Sequence, residues 1–520
     1  MMVRNNMADR KDAPLSLGSV LVLGLGKSGR ATVEYCLELL GNRVTTLAVA
    51  AGERSAASEE FAAAACARGA LVAFGDDAVN ELAARCEGHF DLCIPSPGIP
   101  PFSPLYQAAV KLADEIVAEV EFAWRESTPE SRWVAVTGTN GKTTACALVA
   151  HLLSSAGLAA SAVGNIGDTC IEAVADGCTE VYVAEVSSYQ LASTRRFAPD
   201  VSVLLNITPD HLHWHETFEA YRDAKFKVLE NLSTHPHAVA VLDATNDVVC
   251  AEVRRLHALD PVERGFAYVP MGTKAGITGD MRTACGSDNA AFLSDEGMLT
   301  VVVGGEEHAL LSANELLIKG EHNVSNALAA ATAALALGVS ADDVAQGLRT
   351  FAPLEHRIEP CGDVKGVFCY NDSKATNVDA TLKALAAFPE TRPIVLLGGD
   401  DKGTDLAPLV AATRQHARAA VCFGEAAERF AAAFEVPSAC QSQSSIPEAS
   451  SLTSCSTSED FTLLRAEHLE DAFDAALSLA EPGDVVLLSP ACASFDEFSS
   501  FEERGRVFKE LVRNRSAHGE

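Results

Sequence analysis

Residues Trp133 to Thr137 form an apolar, alternating run that ends in Gly138-Thr139-Asn140-Gly141-Lys142-Thr143-Thr144. The next residues, Ala145 to Leu153, have the pattern of a helix. A strand that feeds a helix through two glycines turns backbone N–H groups toward whatever lies above the helix N-terminus. The helix dipole and the Lys142 ammonium favour a polyphosphate there. The hydroxyl of Thr143 is placed to ligate the Mg²⁺ that nucleotide phosphates carry. Val136 stands where the longer phosphate loop has its first glycine, so this is a shortened variant. An ordinary strand–turn–helix connection would account for the glycines, but not for Lys-Thr-Thr beside them.

At 520 residues the chain exceeds what one core can bury, and about three or four domains are expected. A formal charge of −31 argues against general binding to nucleic acid or an anionic membrane. An anionic substrate must then be held by local groups working against the global field. The 15 cysteines include no Cys-x-x-Cys pair, so free thiols in a reducing cytoplasm are expected rather than a zinc or disulfide framework. Met1 to Asp12 is polar, with no signal-peptide core, and no run of about 18 apolar residues predicts a membrane span.

The alternation of strand and helix patterns predicts an α/β chain of three domains, at about 16–127, 128–352 and 353–520. In the first, a strand at Ser19 to Leu25 runs into Gly24-Leu25-Gly26-Lys27-Ser28-Gly29 and a helix, the context of a pyrophosphate-binding turn in a Rossmann-like domain. A dinucleotide site would want an acid after the second strand, which is expected at Arg43 to Val49. Here Leu47-Ala48-Val49-Ala50-Ala51 offers none before Glu53, which counts against an NAD-dependent oxidoreductase. Pro95-Ser96-Pro97-Gly98-Ile99-Pro100-Pro101 predicts a rigid turn at a strand's carboxyl end, either as scaffold or as ligand contact.

In the central domain, Gly164-Asn165-Ile166-Gly167 follows an apolar strand. The strand Val181 to Val186 then carries one carboxylate, Glu185. A lone buried glutamate is costly unless paired or on metal, so Glu185 is expected to serve Mg²⁺, directly or through water. After Val201 to Ile207 come Asp210, His211, His213 and His215. The three histidines resemble a zinc or nickel site, but the plainer expectation is that one works and the others are solvated. Tyr221 to Lys227 reads by itself as a mixed-charge solvated helix face. Residues 260–310 suggest short strands on a loop-rich flank, and Lys319 to Asn326 opens an alanine-rich helix whose asparagines could cap it or meet a base edge.

The third domain repeats the alternation, with strands expected at Gly366 to Tyr370, Pro393 to Leu397, Ala420 to Phe423, Phe461 to Leu464 and Asp484 to Leu488. That is a second doubly wound, parallel, Rossmann-like sheet. Polar clusters fall at strand carboxyl ends: Asn371 to Asn377, Gly398 to Gly403 and Ser489 to Asp496. Three such clusters on one sheet edge point to a binding site. The Ser-rich stretch at about 436–460 is expected to be a flexible insertion.

Taken together these stretches resemble the Mur ligases, over nearly the whole chain. The phosphate loop is common to the wider group, folylpolyglutamate synthases included. The long motifs Asn371-Asp372-Ser373-Lys374-Ala375-Thr376-Asn377 and Ser489-Pro490-Ala491-Cys492-Ala493-Ser494-Phe495-Asp496-Glu497-Phe498 resemble the branch that adds D-glutamate. The resemblance implies ATP-dependent synthesis of an amide on UDP-N-acetylmuramoyl-L-alanine, through an acyl phosphate, in the cytoplasm, by a monomeric enzyme of peptidoglycan precursor synthesis. Another Mur ligase or a folylpolyglutamate-type ligase is the alternative. A nucleotide-binding scaffold is a third, but it would be expected to have lost Lys142, Glu185, His211 or Lys225.

The same resemblance assigns residues. Lys142, Glu185, His211 and Lys225 are implied to be catalytic, and Gly138 to Thr144 with Asn323, Asn326, Arg357, Asp372 and Lys374 to hold ATP. Leu25, Lys27, Ser28, Gly98, Asn165 and His211 fall to the UDP-substrate, and Thr376, Lys402, Ser494, Phe495 and Phe501 to D-glutamate. Two Mg²⁺ ions are implied, one near Thr143 and Glu185, the other near His211 and a carbamylated Lys225, which overturns the solvated reading of that lysine. The acid that close relatives often use for uracil is replaced by Ala48 and its neighbours. Closure of the domains around the acyl phosphate is expected.

Overall fold

A computed structural model describes residues 15–235, 237–273, 285–401, 403–435 and 461–517. Lys402, the stretch 436–460 and Met1 to Asp12 therefore lie outside the described residues. The described chain is α/β, with three sheets in chain order.

The first sheet has five parallel strands: β1 (Gly18–Leu23), β2 (Val44–Ala51), β3 (Leu71–Phe74), β4 (Phe90–Pro95) and β5 (Ala113–Ile116). Their order is β3-β2-β1-β4-β5. The direction of winding reverses beside β1, so the loops after β1 and β4 border one crevice, the position where open α/β sheets bind ligands. The strand β2 continues to Ala51, two residues beyond the expected end, and Glu53 stands just past it.

The second sheet has nine strands: β6 (Arg132–Thr137), β7 (Ala160–Gly164), β8 (Val181–Glu185), β9 (Val201–Leu204), β10 (Val239–Asp243), β11 (Ala267–Gly272), β12 (Ala290–Leu293), β13 (Met298–Val303) and β14 (Glu306–Ser312). The order is β14-β13-β12-β11-β10-β9-β6-β8-β7, which sets β6 between β8 and β9. The short strands expected on this flank are present as β11 to β14, and β13 pairs antiparallel with both β12 and β14. One hydrophobic core runs from Leu17 and Val20 through Trp124, Trp133 and Phe197 to Ala290. The rings of Trp124 and Trp133 both pack edge-on to Phe197. Because this core is continuous, the first two sheets lie within one compact unit, residues up to Glu315 together with Val324–Thr350.

Leu316–Asn323 and the chain from Phe351 onward make the second unit. Its sheet holds β15 (Glu359–Val364), β16 (Val367–Asn371), β17 (Ile394–Gly398), β18 (Ala419–Phe423), β19 (Thr462–Arg465) and β20 (Val485–Ala491), in the order β15-β16-β20-β17-β18-β19. It departs from the expected all-parallel sheet at one edge, where β15 pairs antiparallel with β16. Separate apolar cores cover its two faces, as a doubly wound sheet requires. The strand β20 is inserted between β16 and β17, which brings together the loops after all three. Among the described residues no helix is long and apolar enough to cross a membrane.

Candidate active site

The phosphate loop leaves β6 at Gly138 (φ +154°) and enters the helix Lys142–Ser155 through Gly141 (φ +88°). A Cβ on Gly141 would stand 2.7 Å from the Asn326 Oδ1 and one on Gly138 3.1 Å from Leu205, so both glycines are required by close approach as well as by φ. The chain after β9 holds the loop from the other side. Asn206 Oδ1 accepts from the Asn140 N–H (2.9 Å), its Nδ2 donates to the Asn140 carbonyl (3.0 Å), and its own carbonyl accepts from the Thr139 N–H (2.8 Å). Thr139 Oγ1 shares a 2.8 Å hydrogen bond with the Tyr221 hydroxyl and accepts from the Thr208 N–H at 2.9 Å. Lys142 Nζ donates to the Gly138 and Thr139 carbonyls at 3.0 and 2.9 Å.

Glu185 ends β8, in register with Val136 of β6 and Gly164 of β7, beside the loop. It is only 3% exposed. Asn165 Nδ2 donates to its Oε1 at 3.2 Å, while Oε2 is buried with no hydrogen-bond partner. An unpartnered buried carboxylate oxygen is costly, and a divalent cation is the group that would satisfy it.

Lys225, on the helix Phe218–Glu230, is not part of a solvated face. It is 2% exposed, and Nζ donates to the Gly138 carbonyl at 2.8 Å. Burial, then the Lys142 ammonium, hold its pKa well below the ordinary lysine value. Asp210 and Glu185 pull the other way but are outweighed. The residue therefore sits among the chemistry: Lys142, Glu185 and Asp210 all bear on it.

The histidines divide three ways. His211 adopts a left-handed backbone (φ +54°), receives support from Asp210, whose Oδ1 accepts its N–H at 2.8 Å, and shares a 2.8 Å hydrogen bond from Nδ1 with the Tyr189 hydroxyl. Burial first, then Lys225 and Lys142, lower its pKa, against the opposing effect of Asp210. His213 is exposed, as expected. His215 is not solvated, contrary to expectation. Its ring is buried against Tyr189 and Trp214, Nε2 shares a 2.9 Å hydrogen bond with Ser188, and burial lowers its pKa to about 4. The short helix Leu212–His215 causes this, because it turns alternate side chains to different sides where an extended segment would not.

In the first sheet, Gly24 and Gly29 bracket the turn around Ser96. A Cβ on Gly29 would lie 2.1 Å from the Gly24 carbonyl and 2.6 Å from Ser96 Oγ, a buried hydroxyl without a hydrogen-bond partner. Leu25 and Ser28 are half-buried and Gly98 is exposed on this rim. Lys27 Nζ donates to the Gly167 carbonyl, two residues past Asn165, so the glycine-rich turn and the Asn165 loop touch.

In the second unit, Asp372 is buried at the end of β16. Its Oδ2 accepts from Ser489 Oγ (2.8 Å) and Oδ1 from the Ile358 N–H (3.3 Å), and burial pushes its pKa up to about 7. Lys374 Nζ stands 3.8 Å from the centroid of the Phe501 ring, a cation–π contact. Asn377 caps the helix Val378–Ala386, accepting from the Ala380 N–H at 2.9 Å. Ser494 is buried, Thr376, Arg357 and Phe501 are half-buried, and Phe495 is 71% exposed. Asn323 and Asn326 both lie inside the helix Glu321–Ala336. They are not caps, and Asn323 Nδ2 donates back to the Lys319 carbonyl at 2.7 Å.

Sequence reasoning missed Arg504. Its guanidinium is 0% exposed and joins the loops after β16 and β20. Nε donates to Ser373 Oγ (3.0 Å), Nη1 to the Ala493 carbonyl (2.9 Å), and Nη2 to the Ser373 and Cys492 carbonyls (2.9 and 3.1 Å). It also missed Asn206 and Tyr189. Asn206 carried a signal, a polar residue directly after a buried strand, but Arg504 reads as one charge among many on the helix Phe501–Ala517.

A mononucleotide-type loop beside a buried carboxylate and lysine, with strand-end loops on a further doubly wound sheet, defines a nucleotide-dependent α/β enzyme. Family models for the Mur ligase middle domain and for the Mur ligase, glutamate ligase domain match residues 136–334 and 356–492. The chain is 37% identical over 424 residues to a UDP-N-acetylmuramoylalanine–D-glutamate ligase of Thermoanaerobacter sp. (strain X514), covering 81% of this chain and 84% of that protein. It is 35% identical over 495 residues to one of Koribacter versatilis, covering 95% and 97%. The structure matches the pseudomurein peptide ligase type C of Methanothermus fervidus with TM-score 0.53 at 17% identity, over 95% of this chain and 99% of that one. It matches the UDP-N-acetylmuramate-alanine ligase of Thermotoga maritima with TM-score 0.52 at 19% identity, over 96% and 99%. The chain belongs to the Mur ligase family, ATP- and Mg²⁺-dependent ligases of peptidoglycan precursors.

Proposed function

We propose that this chain adds D-glutamate to UDP-N-acetylmuramoyl-L-alanine in the cytoplasm, as a monomer. The reading is supported by the relatives of that name at 35 to 37% identity and by the carriage of both long strand-end motifs on one sheet edge. The observation that carries the chemistry is the grouping of Lys142, Glu185, His211 and Lys225 around one phosphate loop.

In this reading the γ-phosphoryl group of ATP passes to the L-alanyl carboxylate, releasing ADP and leaving an acyl phosphate. The neutral amine of D-glutamate then attacks the acyl carbon, and phosphate departs from the tetrahedral intermediate to leave the amide. Phosphoryl transfer is mostly positioning and charge neutralisation. Lys142 and the N–H groups of residues 138–144 supply that for the triphosphate, with Asn323, Asn326, Arg357, Asp372 and Lys374 assigned to the rest of the nucleotide. Leu25, Lys27, Ser28, Gly98 and Asn165 are assigned to the UDP-substrate, and Thr376, Lys402, Ser494, Phe495 and Phe501 to D-glutamate.

The unpartnered Glu185 Oε2 fits a divalent cation, and Thr143 and His211 offer further neutral donors. Bound Mg²⁺ would neutralise charge building on the phosphoryl oxygens. Lys225 does not fit a cation as an ammonium, but its lowered pKa favours the free amine, the form that adds CO₂ to become an anionic carbamate. On this basis two ions are assigned, one to Thr143 and Glu185, the other to His211 and carbamylated Lys225.

The test is phosphate release from ATP with UDP-N-acetylmuramoyl-L-alanine and one amino acid at a time. D-Glutamate should support turnover, and L-glutamate, L-lysine and meso-diaminopimelate should not. Turnover with a diamino acid but not D-glutamate sinks the assignment while sparing the family.

A further inference from the structure

The hydroxyl of Tyr189 lies 2.8 Å from Nδ1 of His211, in a side-chain hydrogen bond across 22 residues of sequence. We propose that Tyr189 is a positioning residue for His211: its hydroxyl accepts the Nδ1 proton and so leaves the Nε2 lone pair free as a ligand. This deepens, and rests on, the reading of His211 as a metal ligand under Proposed function.

Both partners are held before any ligand arrives. Tyr189 rides on the short helix Ser188–Ala192, whose start is locked by a reciprocal cap: the Ser187 side chain accepts from the Gln190 N–H, and Gln190 Oε1 accepts from the Ser187 N–H. Its ring is packed against Trp214, with centroids 4.7 Å apart, and against His215 at 5.7 Å and 25°. That leaves the ring little freedom and fixes where its oxygen points. His211 is held by a left-handed backbone, a conformation that persists in a non-glycine residue only where its surroundings impose it.

The two ring nitrogens then have different surroundings. Nδ1 lies 2.8 Å from the Tyr189 oxygen, a full hydrogen bond, whereas Nε2 lies 3.6 Å from Asp210 Oδ2, too long for one. With Nδ1 engaged by Tyr189, Nε2 is the nitrogen open to a cation, and ligation through Nε2 places the ring proton on Nδ1, where the Tyr189 oxygen accepts it. A histidine that ligates through one nitrogen characteristically donates from the other to a fixed acceptor, and loss of that acceptor typically lowers metal affinity about 10–100-fold. A tyrosine oxygen is a neutral acceptor, so it orients the imidazole without adding charge to the site.

The experiment uses the full chain with ¹⁵N-labelled histidine, the His211 signals being assigned by their loss in His211→Gln. In the wild type the ring shifts should report the Nδ1–H tautomer, and in Tyr189→Phe, which keeps the stacked ring, a mixture of both. Mn²⁺ binding, followed by water-proton relaxation without substrates, should weaken about tenfold in Tyr189→Phe, with the melting temperature changed little. An Nε2–H tautomer in the wild type, or a tautomer and Mn²⁺ affinity both unmoved in Tyr189→Phe, overturns the proposal. If His211→Gln itself leaves Mn²⁺ binding intact, the metal reading of His211 fails instead, and the proposal falls with it whatever the tautomer.

Discussion

Lys225 Nζ donates to the Gly138 carbonyl at 2.8 Å, across 87 residues of sequence, so the lysine of one helix touches the first residue of the phosphate loop. Two basic residues, Lys142 and Lys225, thus converge on the same carbonyl. In a buried setting their mutual repulsion disfavours two ammonium ions, and Lys225, the more buried, is the one pushed toward neutrality.

Lys225→Ala should therefore abolish most turnover, roughly 100-fold or more if the group stabilises charge in the transition state. Short-chain carboxylates should restore part of it, and bicarbonate should activate the wild-type enzyme, because a lowered pKa enlarges the share of free amine that can take up CO₂. Phosphate release with acetate and bicarbonate titrations measures both. The absence of rescue together with indifference to bicarbonate excludes a carbamate.

Glu185→Gln should separate stability from activity. The amide oxygen can keep the hydrogen bond from Asn165, while the unpartnered carboxylate oxygen is replaced by part of a neutral amide. The melting temperature should stay level or rise, and phosphate release should fall by roughly 100-fold. A large loss of stability would show that the carboxylate has a structural partner.

Arg504→Met should destabilise the second unit by about 3 kcal/mol or more, because the Ser373, Cys492 and Ala493 carbonyls lose buried donors at once. Burial already lowers the Arg504 pKa to about 10, so a lysine there is a poor replacement, lacking the fork as well. Thermal unfolding gives the cost, and the KM for the amino acid should rise in any folded variant. An unchanged melting curve would contradict the bridging role.

Glu119 tests a pH dependence away from the chemistry. Its Oε1 accepts from the Ile171 N–H at 2.7 Å, Oε2 is buried without a partner, and burial, with Glu172 adding to it, raises the pKa from 4.5 to about 7. A raised carboxylate pKa means that the folded state holds the proton longer. Its contribution to stability is complete below about pH 4.5 and is lost as pH rises through about 7. The loss totals about 3 kcal/mol at most. The melting temperature of the wild type should fall between pH 5 and 8, and that of Glu119→Gln should fall less. Parallel pH profiles would refute the assignment.

Much of the fold was legible because it is written in short-range pattern. β6 is an apolar run of strand length, and the glycines after it sit where a φ of +154° or +88° is needed. The strand–helix alternation of the last third gave the doubly wound sheet, apart from the antiparallel β15, whose sequence Glu359-Pro360-Cys361-Gly362 has no strand pattern. The two residues of β2 beyond Val49 are Ala50 and Ala51, and alanine carries little strand signal. Lys225 looked solvated because Arg222, Asp223 and Lys227 surround it in sequence, whereas on the helix it shares a face with Tyr221. His215 misled in the same way.

From the chain alone came the phosphate loop, the order of strands and helices, and the residue types available to the chemistry, since these depend on local sterics and periodicity over a few residues. Tertiary packing alone decided that Glu185 has a buried oxygen without a partner, that Lys225 lies against Gly138 and loses basicity, that Tyr189 meets His211, and that Arg504 ties two loops. Each of these is a matter of desolvation and of contacts between residues 20 to 131 apart in sequence, set by which strands lie side by side.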